Sequence, residues 1–511
     1  MPSLIEQRLK GGVMSLSPVF NDRRFQTCFL AYSSLLIFLG RPTSFTLRNF
    51  DDTYYAQKAK ELLDSGNFWV VLYAGQPSFD NTPLPLWLMT TSFRLFGVSA
   101  YSAVLPSALL GVATVLLCYR FAEYLFQDRW TAFLAATILI FPGFFADSAR
   151  RAMVDVPLTF LVTAALFCFL RASENAKYYI GFGLCTGLAI LTKSILGLFP
   201  LLIVFFYLVS TRQFKELYNY RLLVGIAVAL IIGSSWYVLN WQKFGESFLT
   251  AHFGWLIVHR AITGSDTAQA ADVHPLYFLG YFRSLFQNYW PWVPIAIVGA
   301  WKFSKRVFKD GDRHCLFILL WIFVILSVMS VSKSQTLRYI LSIFPALAIL
   351  TAQTIAQWLS PSRKEAALAY VVYCTMAVVL FITATPITIK SAISLSEQST
   401  DIRFLAPIVR MNTAPKAEIG NYRLPLWSPR NSLLFYSDRI LAGPVLDPTE
   451  LVRLMKEQSQ KTWLTSAEEF RELRQKYPGE LYLIHAYGKH AFFTAQENQK
   501  NIRYDVSGGA P

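Results

Sequence analysis

Charged residues are scarce in this chain. Only 15% of its 511 residues are Asp, Glu, Lys or Arg, whereas a soluble domain carries about 25%. Hydrophobic residues make up 54% of the chain and form long runs that polar segments rarely interrupt. This composition argues against an ordinary soluble protein and predicts an α-helical protein that crosses a membrane many times.

The chain also lacks the motifs of several familiar protein classes. Its six cysteines all lie within or at the ends of apolar runs, so no disulfide or metal framework is predicted. Residues 387–511 contain no glycine-rich phosphate loop, CxxC pair or HExxH motif, and the chain shows no internal repeat. The first apolar run begins after Arg24 without a following cleavage pattern, so we expect no cleavable signal peptide.

The apolar runs predict about eleven transmembrane helices, at residues 25–40, 101–119, 131–146, 154–170, 178–192, 195–210, 222–241, 291–304, 314–331, 338–358 and 366–386. The net charge of +15 comes largely from Lys and Arg in short joints between these runs, which is a topology signal rather than a nucleic-acid footprint. Because the basic joints share a side with residues 1–24, we expect a cytoplasmic N-terminus and an extracytoplasmic C-terminus. Outer loops are predicted at 41–100 and 242–290.

After residue 386 the composition changes, which predicts a small extracytoplasmic α/β domain at 387–511. Helix patterns occur at 447–459 and 466–477, and short β-like runs at 432–436, 462–465 and 480–487. The predicted organisation is therefore a cytoplasmic N-terminus (1–24), a transmembrane module (25–386) and this domain.

Two adjacent carboxylates, Asp51 and Asp52, stand at the head of a predicted amphipathic helix over 51–64 in the first outer loop. A helix start favours an anion, so capping explains one of them. The alternative interpretation is an N-cap with a solvated neighbour. A proline-rich turn, Phe79 to Leu84, follows, and then an interfacial helix that is predicted to end at Phe96 with Gly97 as its C-cap.

Other ionisable residues are predicted at the outer ends of spans, where their cost makes them candidates for function. Asp155 precedes Pro157 at the mouth of one span; alternatively it caps that span or pairs with Arg150 or Arg151. Basic residues are predicted on the same side. The group comprises Lys193, Arg260, Lys333 and Arg338, with Arg150 or Arg151 and the histidines His252, His259 and His274 as further candidates. Lys193 is alternatively a lysine whose stem snorkels to the surface.

These two groups predict a division of labour. Converging cations match phosphate or pyrophosphate, and they can stabilise a departing phosphate. Carboxylates can deprotonate an acceptor hydroxyl. Transfer of a sugar from a polyprenyl phosphate needs both kinds of group.

The chain resembles the GT-C glycosyltransferases of the protein O-mannosyltransferase and lipid A aminoarabinose transferase (ArnT-like) superfamily over roughly residues 20–360. The likeness rests on the Asp51-Asp52 pair, Tyr55, the 79–84 turn, Asp155 before Pro157-Leu158 and Thr192-Lys193, and on the segment from Ser332-Lys333 through Arg338-Tyr339 to Phe344-Pro345-Ala346-Leu347. The resemblance implies a GT-C fold of about eleven transmembrane helices with the appended domain.

The resemblance also implies roles for residues. Asp51 is the catalytic or acceptor-orienting carboxylate, with Asp52 and Asp155 as further acidic residues of the catalytic group. The residues expected to bind substrate are Tyr55, Asp80, Lys193, Arg260, His274, Lys333 and Arg338. Asn81 replaces the family's usual Lys, and Tyr54 stands where aminoarabinose enzymes commonly have Arg. These departures argue against aminoarabinose transfer to lipid A and leave the reaction class unchanged.

The sequence thus predicts an inverting membrane glycosyltransferase of the bacterial inner membrane that uses a polyprenyl-phosphate sugar and a lipid, glycan or protein hydroxyl, with no nucleic-acid partner. No cofactor is assigned, and a divalent metal at Asp52, Asp80 and Asp155 is an open alternative. A transporter or flippase of lipid-linked sugars is the rival function, although it would favour inverted repeats and polar residues at mid-span. A non-catalytic scaffold would need no clustering of Asp and Lys on one face.

Overall fold

The structure is a computed structural model that describes residues 22–40, 47, 51–141, 143–263, 279–333, 335–360, 363–364, 367, 370–377, 399–425 and 429–495. Up to residue 377 the regular secondary structure of the described chain is helical apart from a short hairpin in the first outer loop, β1 (Leu72–Tyr73) and β2 (Gln76–Pro77). The helices in this part are α1 (Arg23–Leu39), α2 (Asp51–Ser65), α3 (Pro83–Phe96), α4 (Ala100–Phe126), α5 (Arg129–Ile140), α6 (Phe144–Ala149), α7 (Asp155–Arg171), α8 (Lys177–Lys193), α9 (Phe199–Ser210), α10 (Phe214–Leu217), α11 (Tyr220–Phe244), α12 (Glu246–Leu249), α13 (Arg260–Thr263), α14 (Gly280–Asn288), α15 (Val293–Asp310), α16 (Arg313–Val331) and α17 (Phe344–Ala356).

Tighter or wider helical turns connect some of these helices. They are the 3-10 segments Ser194–Leu198 and Leu337–Ile343 and the π-helical segment Thr250–His259. Among the described residues, the helical stretches long and apolar enough to cross a membrane are Ala100–Phe126, Lys177–Ser210, Tyr220–Phe244, Arg313–Val331 and Leu337–Ala356.

Each predicted span from 25–40 to 338–358 falls on a described helix, whereas most of 366–386 lies outside the described residues. The span predicted at 131–146 is wrong in its extent. Helix α5 ends at Ile140 and Phe141 is extended, with φ −127° and ψ 135°. Phe141 precedes a proline in the sequence, and a residue before proline is disfavoured in helical conformation.

The joint between the predicted spans 178–192 and 195–210 is a sharp turn. Helix α8 ends at Lys193, Ser194 has a φ of 42°, and the 3-10 segment folds back against the last turns of α8. At Gly197 an added Cβ would lie 2.2 Å from the backbone nitrogen of Ile190, so only glycine fits this close approach. The turn holds Lys193 at the tip of α8.

Helices α8 and α11 pack tightly. An added Cβ at Gly183 of α8 would lie 2.1 Å from the carbonyl oxygen of Gly225 of α11, and such small residues let helix backbones approach closely in membranes. At its other end α11 contacts the first outer loop, because Trp236 Nε1 donates to the carbonyl oxygen of Trp69 at 2.9 Å. The tip of α8 is thereby fixed beside this loop.

Residues 399–495 form the predicted small α/β domain around a five-stranded sheet of order β4-β3-β5-β7-β6. Its elements are α18 (Ser399–Asn412), β3 (Glu418–Tyr422), α19 (Pro429–Ser437), β4 (Ile440–Val445), α20 (Pro448–Glu457), β5 (Thr462–Ser466), α21 (Ala467–Lys476), β6 (Tyr482–Tyr487) and β7 (His490–Thr494). Strand β3 runs parallel to β4 and β5, whereas β7 is antiparallel to β5 and β6. The predicted helices at 447–459 and 466–477 and strands at 462–465 and 480–487 are confirmed.

The strand predicted at 432–436 is wrong, because this run belongs to helix α19. Leu433 of α19 packs into the core of the α/β domain, whereas Phe435 packs with Met89 and Phe93 of α3. A helix buried on opposite sides has a continuous apolar run, and its sequence cannot be distinguished from that of a buried strand.

Candidate functional site

Helix α2 begins at the two adjacent carboxylates, as the sequence predicts, and each carboxylate has a guanidinium partner. Arg338 Nη1 lies 2.7 Å from Asp51 Oδ2, and Arg151 Nε lies 3.1 Å from Asp52 Oδ1. The Asp51 side chain is 28% exposed, but that of Asp52 is only 1% exposed. Separate cations reduce the repulsion between the neighbours. The alternative of an N-cap with a solvated neighbour is wrong, because each carboxylate is paired with a guanidinium.

Asp155 is the first residue of α7, and it pairs with the residue at the tip of α8. Lys193 Nζ lies 2.5 Å from Asp155 Oδ1 and 4.5 Å from the ring centroid of Tyr339. The alternative pairing of Asp155 with Arg151 is wrong, since Arg151 is bound to Asp52. Asp155 Oδ2 is buried and makes no hydrogen bond to any residue in the described part of the chain.

The two ion pairs are neighbours. Arg338 interacts electrostatically with Asp155 as well as Asp51. Tyr55 lies among them: burial raises its pKa, and the nearby Asp51 and Asp155 raise it further. We call Asp51, Arg338, Asp155 and Lys193 the paired-charge cluster. The structure therefore brings together four predicted site residues from the outer loop and three separate helical segments.

A second network fixes the turn at Asp80. Lys58 Nζ lies 2.5 Å from both Asp80 Oδ1 and Asn81 Oδ1. The same ammonium group lies 3.9 Å from the ring centroid of Tyr54. The Tyr54 hydroxyl donates a hydrogen bond to Asp80 Oδ2 at 2.7 Å. The amide of Asn81 in turn donates to the Tyr55 hydroxyl at 3.3 Å. Burial opposes the ionisation of Asp80, but Lys58 and neighbouring hydroxyls outweigh it and lower the pKa of Asp80 to about 2.

Lys58 was not predicted from the sequence. Its side chain is fully buried, and burial lowers its pKa against the opposing effect of Asp80. The available signal was spacing, because residues 51, 55 and 58 recur at intervals that place them on one helix face. Lys58 supplies a cation beside Asn81, where the resembled family has its lysine.

His252 joins the Asp80 turn to the Lys193 turn. Its Nδ1 lies 2.5 Å from the carbonyl oxygen of Phe79, and its Nε2 lies 3.2 Å from Ser194 Oγ. A carbonyl only accepts, so Nδ1 carries the proton and Nε2 accepts from Ser194. Burial lowers the pKa of His252, so at neutral pH this side chain is a neutral bridge rather than one of the predicted cations.

The remaining predicted substrate-binding residues either lie away from the cluster or fall outside the residues that the structure describes. Lys333 is exposed and forms no ion pair with the described residues. The side chain of Arg260 and the whole of His274 lie outside the described residues. In the part of the chain that is described, no three His, Cys, Asp or Glu side chains converge into a metal-binding group. Because Asp52, Asp80 and Asp155 instead contact Arg151, Lys58 and Lys193, they do not fit the alternative of a divalent metal.

The α/β domain packs against the site helix through α19. The Tyr436 hydroxyl accepts a hydrogen bond from the backbone N–H of Leu47 at 2.9 Å, and Asp438 pairs with Lys60 of α2. Asn431 contacts Tyr73 of the outer-loop hairpin. The contact at Leu47 lies four residues before Asp51, so the domain reaches the segment that leads into the site.

Known proteins share parts of this sequence. The family model described as dolichyl-phosphate-mannose-protein mannosyltransferase matches residues 80–238. An undecaprenyl phosphate-alpha-4-amino-4-deoxy-L-arabinose arabinosyl transferase of Pseudomonas fluorescens is 28% identical over 350 residues, covering 66% of this chain and 58% of that protein. An uncharacterized protein of Aquifex aeolicus is 27% identical over 307 residues, covering 59% of this chain and 58% of its own. The chain thus spans less than two thirds of the length of these relatives.

Solved structures share the fold more widely. ArnT from Cupriavidus metallidurans bound to undecaprenyl phosphate matches with a TM-score of 0.73 and 16% identity, covering 93% of this chain and 98% of that one. The Archaeoglobus fulgidus oligosaccharyltransferase in the apo form matches with a TM-score of 0.55 and 14% identity, covering 92% and 74%. The GT-C fold and the ArnT-like resemblance are confirmed, and the chain is an integral membrane protein.

Proposed function

We propose that this GT-C chain is a membrane glycosyltransferase that moves one sugar from a polyprenyl phosphate to a hydroxyl on a lipid, glycan or protein. The observation that carries the proposal is the paired-charge cluster, which sets two carboxylates beside two cations at one end of the helix bundle. The relatives named as undecaprenyl-phosphate arabinosyl transferases support the donor class.

The proposed base is Asp51. The acceptor oxygen attacks the anomeric carbon, its proton passes to the Asp51 carboxylate, and the bond from that carbon to the phosphate oxygen breaks with its electron pair going to the phosphate. A single displacement inverts the anomeric centre. Asp51 is the more accessible carboxylate of the cluster, at 28% exposure against 1% for Asp155.

The cations of the cluster take the opposite role. Lys193 and Arg338 are proposed to neutralise the departing phosphate, because fixed positive charge beside a developing anion lowers the barrier. Asp155 is buried, and it is proposed to position Lys193 through its Oδ1. Asp52 is enclosed with Arg151, and we assign it a structural role. Tyr55, Asp80 and Lys58 shape the wall of the site.

The proposed orientation places this site on the extracytoplasmic face of a bacterial inner membrane. The N-terminal segment would then be cytoplasmic, and the α/β domain would lie outside. Support comes from α7, which runs from Asp155 in the site to Arg171, one of the basic residues in the joints that are expected to be cytoplasmic. The domain division at 1–24, 25–386 and 387–511 is part of the same proposal.

The direct experiment measures sugar transfer from a panel of radiolabelled polyprenyl-phosphate sugars to a membrane extract in liposomes. Wild type is compared with Asp51→Asn and with the matched control Asp64→Asn, which makes the same change at an exposed position of the same helix. Wild type and the control are expected to transfer sugar, and Asp51→Asn to be slower by about 100-fold or more. Absence of transfer together with movement of a lipid-linked sugar across the liposome would support the flippase instead.

A further inference from the structure

A polar pocket lies at the end of the bundle opposite the paired-charge cluster. Its volume is about 660 Å³. The charged side chains that line it are Arg23, Arg120, Glu123, Arg129, Arg171 and Glu174. None of these residues takes part in the proposed reaction.

Several residues that line the pocket stand at the ends of helices. Arg23 begins α1, Arg129 begins α5, and Arg171 ends α7. Helix α7 starts at Asp155, and its rise of 1.5 Å per residue separates the pocket from the cluster by about 24 Å. That distance is close to the thickness of the hydrocarbon core of a membrane, so the pocket opens at the other membrane surface.

The charges in this pocket are unbalanced, because four guanidinium groups face two carboxylates. Glu123 stands between three of the arginines with a side chain that is 13% exposed. Arg23 Nη2 lies 2.5 Å from its carboxylate, whereas Arg120 and Arg129 approach only to 3.5 and 3.9 Å. Arg171 Nε in turn lies 2.9 Å from Glu174 Oε2. An anion entering the pocket would meet the Arg120 guanidinium, which is 43% exposed and whose contact with Glu123 is long.

One wall of the pocket is aromatic. Tyr124 and Phe167 make an edge-to-face contact with ring centroids 5.9 Å apart, and the Arg171 guanidinium lies 5.3 Å from the Tyr124 ring centroid. A ligand with a phosphate and an apolar body would place the phosphate among the arginines and its chains against this wall and the adjoining helices. A small soluble anion would use only the first of these features.

We propose that this pocket binds the phosphate of an anionic membrane phospholipid. Basic pockets between transmembrane helices at a membrane surface suit such head groups, and planar arginine forks match phosphate oxygens. The site is separate from the donor site at the paired-charge cluster. It would let the enzyme sense or fix its position in the leaflet opposite to the one where transfer is proposed.

The test uses the full-length purified protein and native mass spectrometry during titration with phosphatidylglycerol or phosphatidylcholine of identical acyl chains. Wild type is expected to retain phosphatidylglycerol at least about tenfold better, and Arg120→Gln to weaken that binding about fivefold, because one guanidinium contact with the phosphate is lost. Arg221→Gln is the matched control, since Arg221 is exposed at the start of α11, outside the pocket, and should leave binding unchanged.

A second variant tests whether Glu123 competes with the lipid phosphate or only maintains the structure of the pocket. Glu123→Gln removes the competing carboxylate and is expected to tighten phosphatidylglycerol binding, whereas a merely structural Glu123 would weaken it through the loss of its ion pairs. Inorganic phosphate at about 10 mM would occupy most of a site with a Kd of about 1 mM. It is expected to leave the bound lipid in place. Equal binding of both lipids, weakening by Glu123→Gln, or displacement of the lipid by phosphate would each overturn the proposal.

Discussion

Arg338 binds Asp51 across 287 positions of the chain, with Nη1 lying 2.7 Å from Oδ2. The arginine stands in the 3-10 segment before α17, and the aspartate begins the outer-loop helix. This contact ties the loop to the membrane bundle and sets a permanent cation beside the proposed base. Arg338 also interacts with Asp155, so it connects the two ion pairs of the cluster.

Replacing Arg338 separates charge from geometry. Arg338→Gln removes the cation proposed to stabilise the leaving phosphate, and we expect kcat to fall by about 100-fold or more. Arg338→Lys keeps the charge without the planar fork and should retain intermediate activity. Steady-state transfer assays with varied donor would give kcat and KM, and full activity in both variants would contradict the role.

The Lys58–Asp80 pair should contribute to stability. Lys58→Met leaves the Asp80 carboxylate without its cation, and we expect a loss of about 1–3 kcal/mol, because water can partly solvate Asp80 at its 38% exposure. The double variant Lys58→Met/Asp80→Asn should recover part of this loss. Thermal unfolding in detergent would measure both, and a double variant less stable than the single one would contradict the expectation.

His252 should make stability depend on pH. Its pKa is lowered in the folded protein, so the unfolded chain takes up a proton first as the pH falls. The contribution of His252 is then fully present above about pH 6.5 and is lost progressively below it. His252→Asn keeps a donor for the Phe79 carbonyl but cannot titrate. Its unfolding temperature should therefore fall less than that of wild type between pH 7 and pH 5; identical slopes would contradict the prediction.

Docking of the α/β domain should affect the active site. Tyr436→Phe removes only the hydroxyl that accepts the hydrogen bond from the Leu47 N–H. We expect the docking of the domain against the segment before Asp51 to be weakened by about 1 kcal/mol. The loss should appear as a lower kcat with an unchanged donor KM. Tyr477→Phe, at a partly buried tyrosine that packs within the α/β domain, is the matched control. Equal effects from the two variants would show that the domain influences the site only through its own folding.

Much of the membrane fold could be predicted because a helix that crosses the membrane needs an apolar run of a length set by the membrane thickness. The exceptions have local causes. The extent of the 131–146 run was wrong because a proline follows Phe141, and the 432–436 run was assigned to a strand because α19 is buried on opposite sides. Strands β3, β4 and β7 were missed. Strands β3 and β7 are buried at almost every residue, so their sequences lack the alternation that marks a half-buried strand. Strand β4 contains Gly443 and Pro444, which are depleted in strands.

The site was predictable to the extent that topology alone gathers residues at one membrane surface. That argument grouped Asp51, Asp155, Lys193 and Arg338, which the structure brings together. Topology could not show which cation pairs with which carboxylate, because the Asp52–Arg151 and Asp51–Arg338 contacts join residues 99 and 287 positions apart. Lys58 was missed because a lysine on an amphipathic helix ordinarily faces water.

The central claim is that Asp51 accepts the proton of the acceptor hydroxyl. The most direct measurement compares single-turnover transfer and equilibrium donor binding in wild type, Asp51→Asn and Asp52→Asn, each in the same liposomes. We predict that Asp51→Asn binds donor normally and transfers sugar slower by about 100-fold or more, whereas Asp52→Asn is less stable but retains its rate of chemistry. Transfer at the wild-type rate by a folded Asp51→Asn variant would contradict the claim and move the base elsewhere, with Asp155 the next carboxylate to test.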